Sequence, residues 1–243
     1  MVGFEPALLE RLTQEGAANA LFFAATDGCT VLYDGYPKAT FHWLVLPVDT
    51  AIRRAADLRP RHLPLLRRMA ALADRLIAHV RGPGGVAVSA APTAAVAADD
   101  DDGHGATGAV ADPACLRFQC GFHAVPSLEH LHLHVMSTDL ELGCKHKKHY
   151  NSFATPFFTP IAAVLRELEA GLASGDPDRE VALAPRAAAV DGPMACVHCG
   201  AALPTMPAVR RHLAGCRHRT LDADHPEATV AAATPHVANA VVL

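Results

Sequence analysis

No run of roughly 18 large apolar residues occurs, so the chain offers no helix to span a bilayer. No excess of one charge occurs either. Twenty-one Lys and Arg stand against 25 Asp and Glu, a formal net charge of −4 with His neutral. A global polybasic character is excluded, and any nucleic-acid surface must be local. The Met1-Val2-Gly3-Phe4 start lacks the pattern of a secretory leader, and seven cysteines is an odd number. The expectation is a soluble protein of a reducing compartment, with some cysteines on metal and the rest free. What is present is 243 residues, enough for one large domain or a domain plus a small module. Hydrophobic residues make up 51%, which supports a core although much of it is Ala.

Glu129-His-Leu-His-Leu-His-Val-Met136 is the most informative stretch. On a strand, His130, His132 and His134 share one face, and Leu131, Leu133 and Val135 share the other. A helix would scatter the histidines. One face is therefore available for chemistry and one for a core. Taken alone, the three histidines fit a metal site or a His-rich surface as well as catalysis.

The surrounding chain reads as α+β. Pro6 to Glu15 has Leu8, Leu9 and Leu12 at helical spacing. Ala20 to Ala25 and Cys29 to Tyr33 read as strands joined by a Thr26-Asp27-Gly28 turn. Asp34 to Ala39 is a loop by its Gly and Pro, and Asp34 in isolation is a turn former. Phe41 to Pro47 is an apolar, central strand. Leu65, Met69, Leu72, Leu76 and Val80 recur on one side of a long helix starting near Pro60. The Ala-, Gly- and Pro-rich stretch from Gly82 to Pro113, with its Asp99 to Asp102 run, has too few large apolar residues to offset ordering entropy and reads as a disordered insertion. Cys115 to His123 reads as a strand pairing with the histidine strand, which lies beside the Phe41 strand in one antiparallel sheet. The Gly143 to Asn151 segment, rich in Lys and His, is either a solvated loop or a phosphate-binding element. A second helix is expected from Thr155 to Leu172.

Cys196-x2-Cys199-x12-His212-x3-Cys216 has the spacing of a tetrahedral zinc site. His212 and Cys216 share a helix face, and Leu203, Val209 and Leu213 can supply a small core. Such a module folds with its metal. His218 is a weaker substitute ligand. Arg210, Arg211, Arg217 and Arg219 give this module a local positive face. From Thr220 the chain reads as a flexible tail. The domains expected are 5–175, with an insertion at about 82–114, then a linker and C2HC finger over 176–219, then a tail over 220–243.

The His130-to-Met136 run resembles the signature of the histidine-triad (HIT) superfamily. Together with Tyr36 to Pro47, Gly121 to Ser127, Lys147 to Phe153 and the C-terminal finger, it resembles the aprataxin family. The resemblance implies a HIT-type antiparallel sheet with packed helices, plus a small ββα-like zinc finger. It implies hydrolysis of DNA 5′-adenylates through a covalent histidine–AMP intermediate. His132 would be the nucleophile, His130 and His134 would bind phosphate oxygens, and His123 and Lys148 would bracket the leaving phosphate. Asp34 would accept from ribose hydroxyls, Ser127 would donate to the phosphoryl group, and Lys38 would be a loop or phosphate-side contact. His42 would support the triad from the neighbouring strand, with a buried structural histidine as the alternative. Lys147, Lys148, Arg210 and Arg211 would face DNA. A structural Zn2+ would sit on Cys196, Cys199, His212 and Cys216, with no metal needed for the chemistry. His134, where nucleotidyltransferases of the superfamily carry Gln, implies a hydrolase. A stacking role for the Leu8, Leu9 and Leu12 helix is also implied.

The expected partners are adenylated or nicked DNA, with AMP as product, for a monomer that binds no membrane and resides in the nucleus. The animal proteins' forkhead-associated domain is expected to be absent. Two alternatives are a general nucleoside phosphoramidase or dinucleotide hydrolase, which usually lacks a finger, and a non-enzymatic zinc-finger DNA-binding protein.

Overall fold

The computed structural model describes residues 22–26, 28–82, 115–140 and 144–218. The expected helix over Pro6 to Glu15, most of the acidic insertion, Asp27, Gly143, Arg219 and the tail lie outside the described residues. Six strands form one antiparallel sheet: β1 (Phe22–Thr26), β2 (Cys29–Tyr33), β3 (His42–Pro47), β4 (Phe118–His123), β5 (Leu133–Ser137) and β6 (Phe158–Pro160). Their order is β1-β2-β3-β5-β4-β6, so the Phe41 strand is internal and the histidine strand lies between it and β4, as the alternation implies. Four α-helices complete the described residues: α1 (Leu63–Arg81), α2 (Lys147–Ala154), α3 (Ile161–Ala173) and α4 (Met206–Gly215).

The strand period sorts the two faces. Trp43, Val45, Leu131, Leu133, Val135 and Phe122 point into the main core. There they meet Leu66, Met69, Leu72, Leu76 and Val80 of α1 and Ile161, Val164 and Leu168 of α3. The helical stripe read from the sequence is this contact, and burying each such side chain contributes about 1.5–3 kcal/mol. The opposite face carries His42, His134 and Met136. Part of it is covered by a second core in which Met136, Tyr150, Phe153 and Phe158 join Met194, Cys196, Leu203, Val209 and Leu213. The cysteine–histidine module therefore shares a core with the histidine-bearing face of the sheet.

Three boundaries differ from expectation. Regular pairing of the histidine strand begins at Leu133, so His130 and His132 sit on extended backbone just before it. The basic segment is helical from Lys147, because Tyr150 and Phe153 find a buried surface one helical step apart. Residues Phe158–Pro160 pair with Gly121–His123, so the expected second helix starts only at Ile161. Gly121 allows that pairing: a Cβ there would lie 2.5 Å from the Thr159 carbonyl oxygen and 2.6 Å from the Phe158 ring. Among the described residues, no helix is long and apolar enough to cross a membrane.

Candidate active site and metal centre

His134 is the hub of a buried imidazole cluster. Its ring centroid lies 4.9 Å from His132, 4.4 Å from His123 and 5.2 Å from His42. The register explains the convergence: His134 pairs with Leu44 on β3 and Gly121 on β4, so His42 and His123 flank it two residues along on the same face. Phe153 closes the cluster, with its ring 5.3 Å from His134, 5.5 Å from His42 and 4.7 Å from His123. Phe157 and Phe158 wall the far side of His123. Sequence reasoning singled out none of these three phenylalanines; Phe153 is legible only as the end of the Lys147-to-Phe153 run.

Hydrogen bonds assign the protons. Nδ1 of His132 lies 2.7 Å from the His130 carbonyl oxygen, which can only accept. The proton therefore sits on Nδ1, and Nε2 keeps its lone pair. His130 is anchored in turn: its Nε2 donates to the Pro47 carbonyl at 2.9 Å, and its buried Nδ1 has no partner among the described residues. As a neutral ring, His130 has no Nδ1 proton to give a phosphate oxygen. Its clearest contribution is the carbonyl that orients His132.

A second relay runs through His42. The Lys38 backbone N–H donates to His42 Nδ1 at 3.2 Å, which places the His42 proton on Nε2. That proton faces His134 Nδ1 at 2.9 Å and Asp34 Oδ2 at 3.3 Å. His134 then carries its proton on Nε2, which is buried and has no partner among the described residues. An N–H donor is thus held ready in the cluster beside the lone pair of His132. Asp34 is itself tied by the Tyr36 N–H to Oδ1 at 2.7 Å, so it serves this relay whatever else it contacts.

Burial lowers the pKa of all five imidazoles. For His42, His130, His132 and His134 desolvation is the largest cause, and for His134 it is joined by the neighbouring histidines. His123 is pushed down to about 3, again chiefly by desolvation, then by His132 and His42. The cluster is neutral near pH 7, which is the form in which an imidazole is a nucleophile.

The loop before β3 is fixed by Asp139. Its carboxylate accepts from the Thr40 side-chain hydroxyl, from the Thr40 N–H at 3.2 Å, from Ser137 Oγ at 2.7 Å and from the Leu140 N–H at 3.1 Å. That buried, fully engaged carboxylate fixes Thr40, two residues before His42. Ser127 lies exposed in the loop joining β4 to the histidines. Lys148, in the first turn of α2, is ion-paired with Asp191 at 3.1 Å, while Lys147 Nζ donates to the Asp191 carbonyl at 2.9 Å. The structure therefore gathers Asp34, His42, His123, His130, His132 and His134 at one site and places Lys147 and Lys148 on the Asp191 segment beside it. Arg210 and Arg211 are exposed on α4. The Cys144 thiol donates to the Lys38 carbonyl at 4.0 Å, and burial pushes its pKa up to about 11.

Cys196, Cys199, His212 and Cys216 form a second centre. Their four ligand atoms lie within 4.8 Å of one another, and the group can hold a metal ion. Cys196 Sγ is 3.9 Å from Cys216 Sγ, and Cys199 Sγ is 3.2 Å from His212 Nε2. His218 is not part of the group. The knuckle turns at Gly200, whose φ of +73° disfavours a side chain. The isolated bridge Ala195–Ala202 precedes α4, and Thr205 caps that helix by accepting from the Ala208 N–H at 3.3 Å. Tyr150 ties α2 to the knuckle: its hydroxyl donates to the Ala195 carbonyl at 2.9 Å and accepts from the Val197 N–H at 3.3 Å. Asn151 donates to the Val190 and Gly192 carbonyls. One short helix thus joins the imidazole cluster, through Phe153, to the metal centre, through Tyr150.

The family model for scavenger mRNA decapping enzyme C-term binding matches residues 8–85 and 111–150 and ends before the cysteine–histidine group. The chain is 33% identical over 189 residues to Aprataxin of Danio rerio, covering 77% of this chain and 47% of that protein. It is 30% identical over 184 residues to Aprataxin of Gallus gallus, covering 75% of this chain and 46% of that protein. The chain thus spans about half the length of these curated relatives. Among solved structures, Hnt3 in complex with DNA and guanosine has the same fold, with a TM-score of 0.51, 21% identity, and coverage of 84% of this chain and 91% of that one.

Proposed function

The chain belongs to the aprataxin family of histidine-triad proteins, and on that premise we propose that it removes AMP from 5′-adenylated DNA ends. The observation that carries this reading is the pairing of a free lone pair on His132 Nε2 with an unpartnered N–H on His134 Nε2 in one buried neutral cluster. The Nε2 lone pair attacks the α-phosphorus of the adenylate, and the bond from that phosphorus to the oxygen of the DNA 5′-phosphate breaks. The leaving group is a 5′-phosphorylated DNA end. The proton stays on His132 Nδ1, donated in a hydrogen bond to the His130 carbonyl, which stabilises the positive imidazole as it forms. Water then attacks the same phosphorus and gives up a proton to solvent, and the P–N bond breaks to release AMP and restore neutral His132. His134 donates to the phosphoryl oxygens throughout. His123 and Lys148 face the leaving phosphate, the latter by exchanging its Asp191 partner for the substrate. Asp34 and Lys38 line the nucleoside side, and Ser127 donates to the phosphoryl group.

In this reading 5–175 is the catalytic unit, and 176–219 forms the linker and finger. The metal is a structural zinc ion. With Zn–S bonds of about 2.3 Å, a tetrahedral site separates its sulfurs by about 3.8 Å, close to the 3.9 Å between Cys196 and Cys216. Zinc supplies no step of the phosphoryl chemistry; it holds the knuckle against α4. Lys147, Arg210 and Arg211 then offer a cationic flank to DNA, supported by a fold shared with a DNA-bound structure. A monomer acting in the nucleus completes the proposal, and size-exclusion scattering and imaging of a tagged chain test those two points.

The deciding experiment measures AMP release from 5′-adenylated nicked DNA and from adenosine 5′-phosphoramidate. Release from DNA at the higher kcat/KM, abolished by His132→Ala, is the expected result. Equal efficiency on both substrates would refute the DNA-directed reading in favour of a general phosphoramidase.

A further inference from the structure

A small, half-open cleft lies beside the proposed nucleophile, and two of the residues that line it, Arg53 and Arg54, have no role in the chemistry described above. His123, His130 and His132 line it together with Arg53 and Arg54. The arginine segment is not a loose loop. The Leu131 N–H donates to the Ile52 carbonyl at 3.0 Å, and Ile52 and Ala55 are buried on either side of the two exposed arginines. The segment is therefore pinned directly to the backbone between His130 and His132.

The two arginines differ in what holds them. Arg53 is paired with Glu129 at 3.1 Å, next to His130. No ion pair among the described residues engages the Arg54 guanidinium; Asp57, its acidic neighbour, instead accepts the Arg54 backbone N–H at 3.0 Å. The histidines of the cleft are held neutral by burial, so the formal positive charge on its lining comes from the two arginines. A planar guanidinium fork fits two oxygens of a phosphate diester.

We infer that Arg54 binds a backbone phosphate of the nucleic-acid strand leaving His132, with Arg53 as a second donor restrained by Glu129. This deepens the proposed function and rests on it, because it names the subsite of the polynucleotide rather than of AMP.

The test uses the full, metal-loaded chain and compares wild type, Arg54→Gln, Arg54→Lys and Glu129→Gln. KM is measured for adenylated nicked DNA and for adenosine 5′-phosphoramidate, and the affinity for unadenylated nicked DNA is followed against salt. Arg54→Gln is expected to raise KM for DNA about tenfold more than KM for the phosphoramidate. It should also flatten the slope of log affinity against log salt by about one. Arg54→Lys should restore the salt slope, and Glu129→Gln should lower KM for DNA about two- to threefold by releasing Arg53. Equal changes on both substrates, or an unchanged salt slope in Arg54→Gln, would overturn the inference. If wild type releases no AMP from DNA, the proposed function fails by itself, whereas the salt slope still reads the Arg54 contact.

Discussion

His123 gives a direct measure of how far burial controls this site. Its pKa in the fold is about 3, against an ordinary value of 6.5, chiefly because the ring is desolvated among Phe153, Phe157 and Phe158. The lowered value sets the sign. The unfolded chain takes up a proton below pH 6.5 while the folded ring stays neutral, so stability present above that pH is lost as pH falls towards 3. At pH 5 the loss from this residue alone is roughly 1.5 pH units at 1.36 kcal/mol each, about 2 kcal/mol. With an m-value of about 3 kcal/mol/M in urea, the unfolding midpoint should drop by about 0.7 M. The perturbation is His123→Phe, which keeps the aromatic packing and removes the titration. Urea unfolding at pH 7.5 and pH 5 is measured for both proteins. The other imidazoles and the cysteine–histidine centre titrate in both, so the difference of differences isolates His123. Wild type should lose about 2 kcal/mol more than the variant. Equal losses would refute the claim that His123 is neutral and desolvated in the fold.

The lowered pKa of His132 carries a kinetic counterpart. The acid limb of AMP release should fall at a pH below 6.5 rather than at it, since a neutral ring persists there; a limb at 6.5 or above would show an unshifted nucleophile. Phe153→Ala removes the ring wedged between the imidazoles and the second core. It should cost about 3–5 kcal/mol in thermal or denaturant unfolding and reduce turnover as well. Gly121→Ala should destabilise the β4–β6 pairing by about 1–3 kcal/mol, read in the same way, because the added Cβ meets the Thr159 carbonyl oxygen of the backbone as well as the Phe158 ring. Cys196→Ala or Cys199→Ala should abolish stoichiometric metal in elemental analysis and weaken DNA binding more than turnover of a small adenylate; retained metal would show that the four ligands do not form one site.

Much of the architecture is legible in local pattern because its physical cause is local. Alternation of His with Leu and Val is a strand with two chemically different faces, and the fold puts Leu131, Leu133 and Val135 into the core and the histidines opposite. The helical stripe from Leu65 to Val80 and the cysteine–histidine spacing belong to the same class, since side-chain period and ligand geometry act over one or two turns. What local pattern could not decide was every contact set by strand order. The His42–His134 hydrogen bond joins residues 92 apart, and the Thr40–Asp139 contacts join residues 99 apart. The short strand Phe158–Pro160 exists because Gly121 leaves room for it on the neighbouring strand, which nothing in its own three residues announces. The same holds for proton placement. Residue types alone name three histidines, but which nitrogen of His132 keeps its lone pair follows from a carbonyl two residues away, and which nitrogen of His134 keeps its proton follows from Lys38 and His42 on another strand. The sequence by itself determined the chemical inventory and its periodicity; the tertiary structure alone decided desolvation, tautomer and the meeting of Arg53 and Arg54 with the histidines, because each depends on groups brought together from distant parts of the chain.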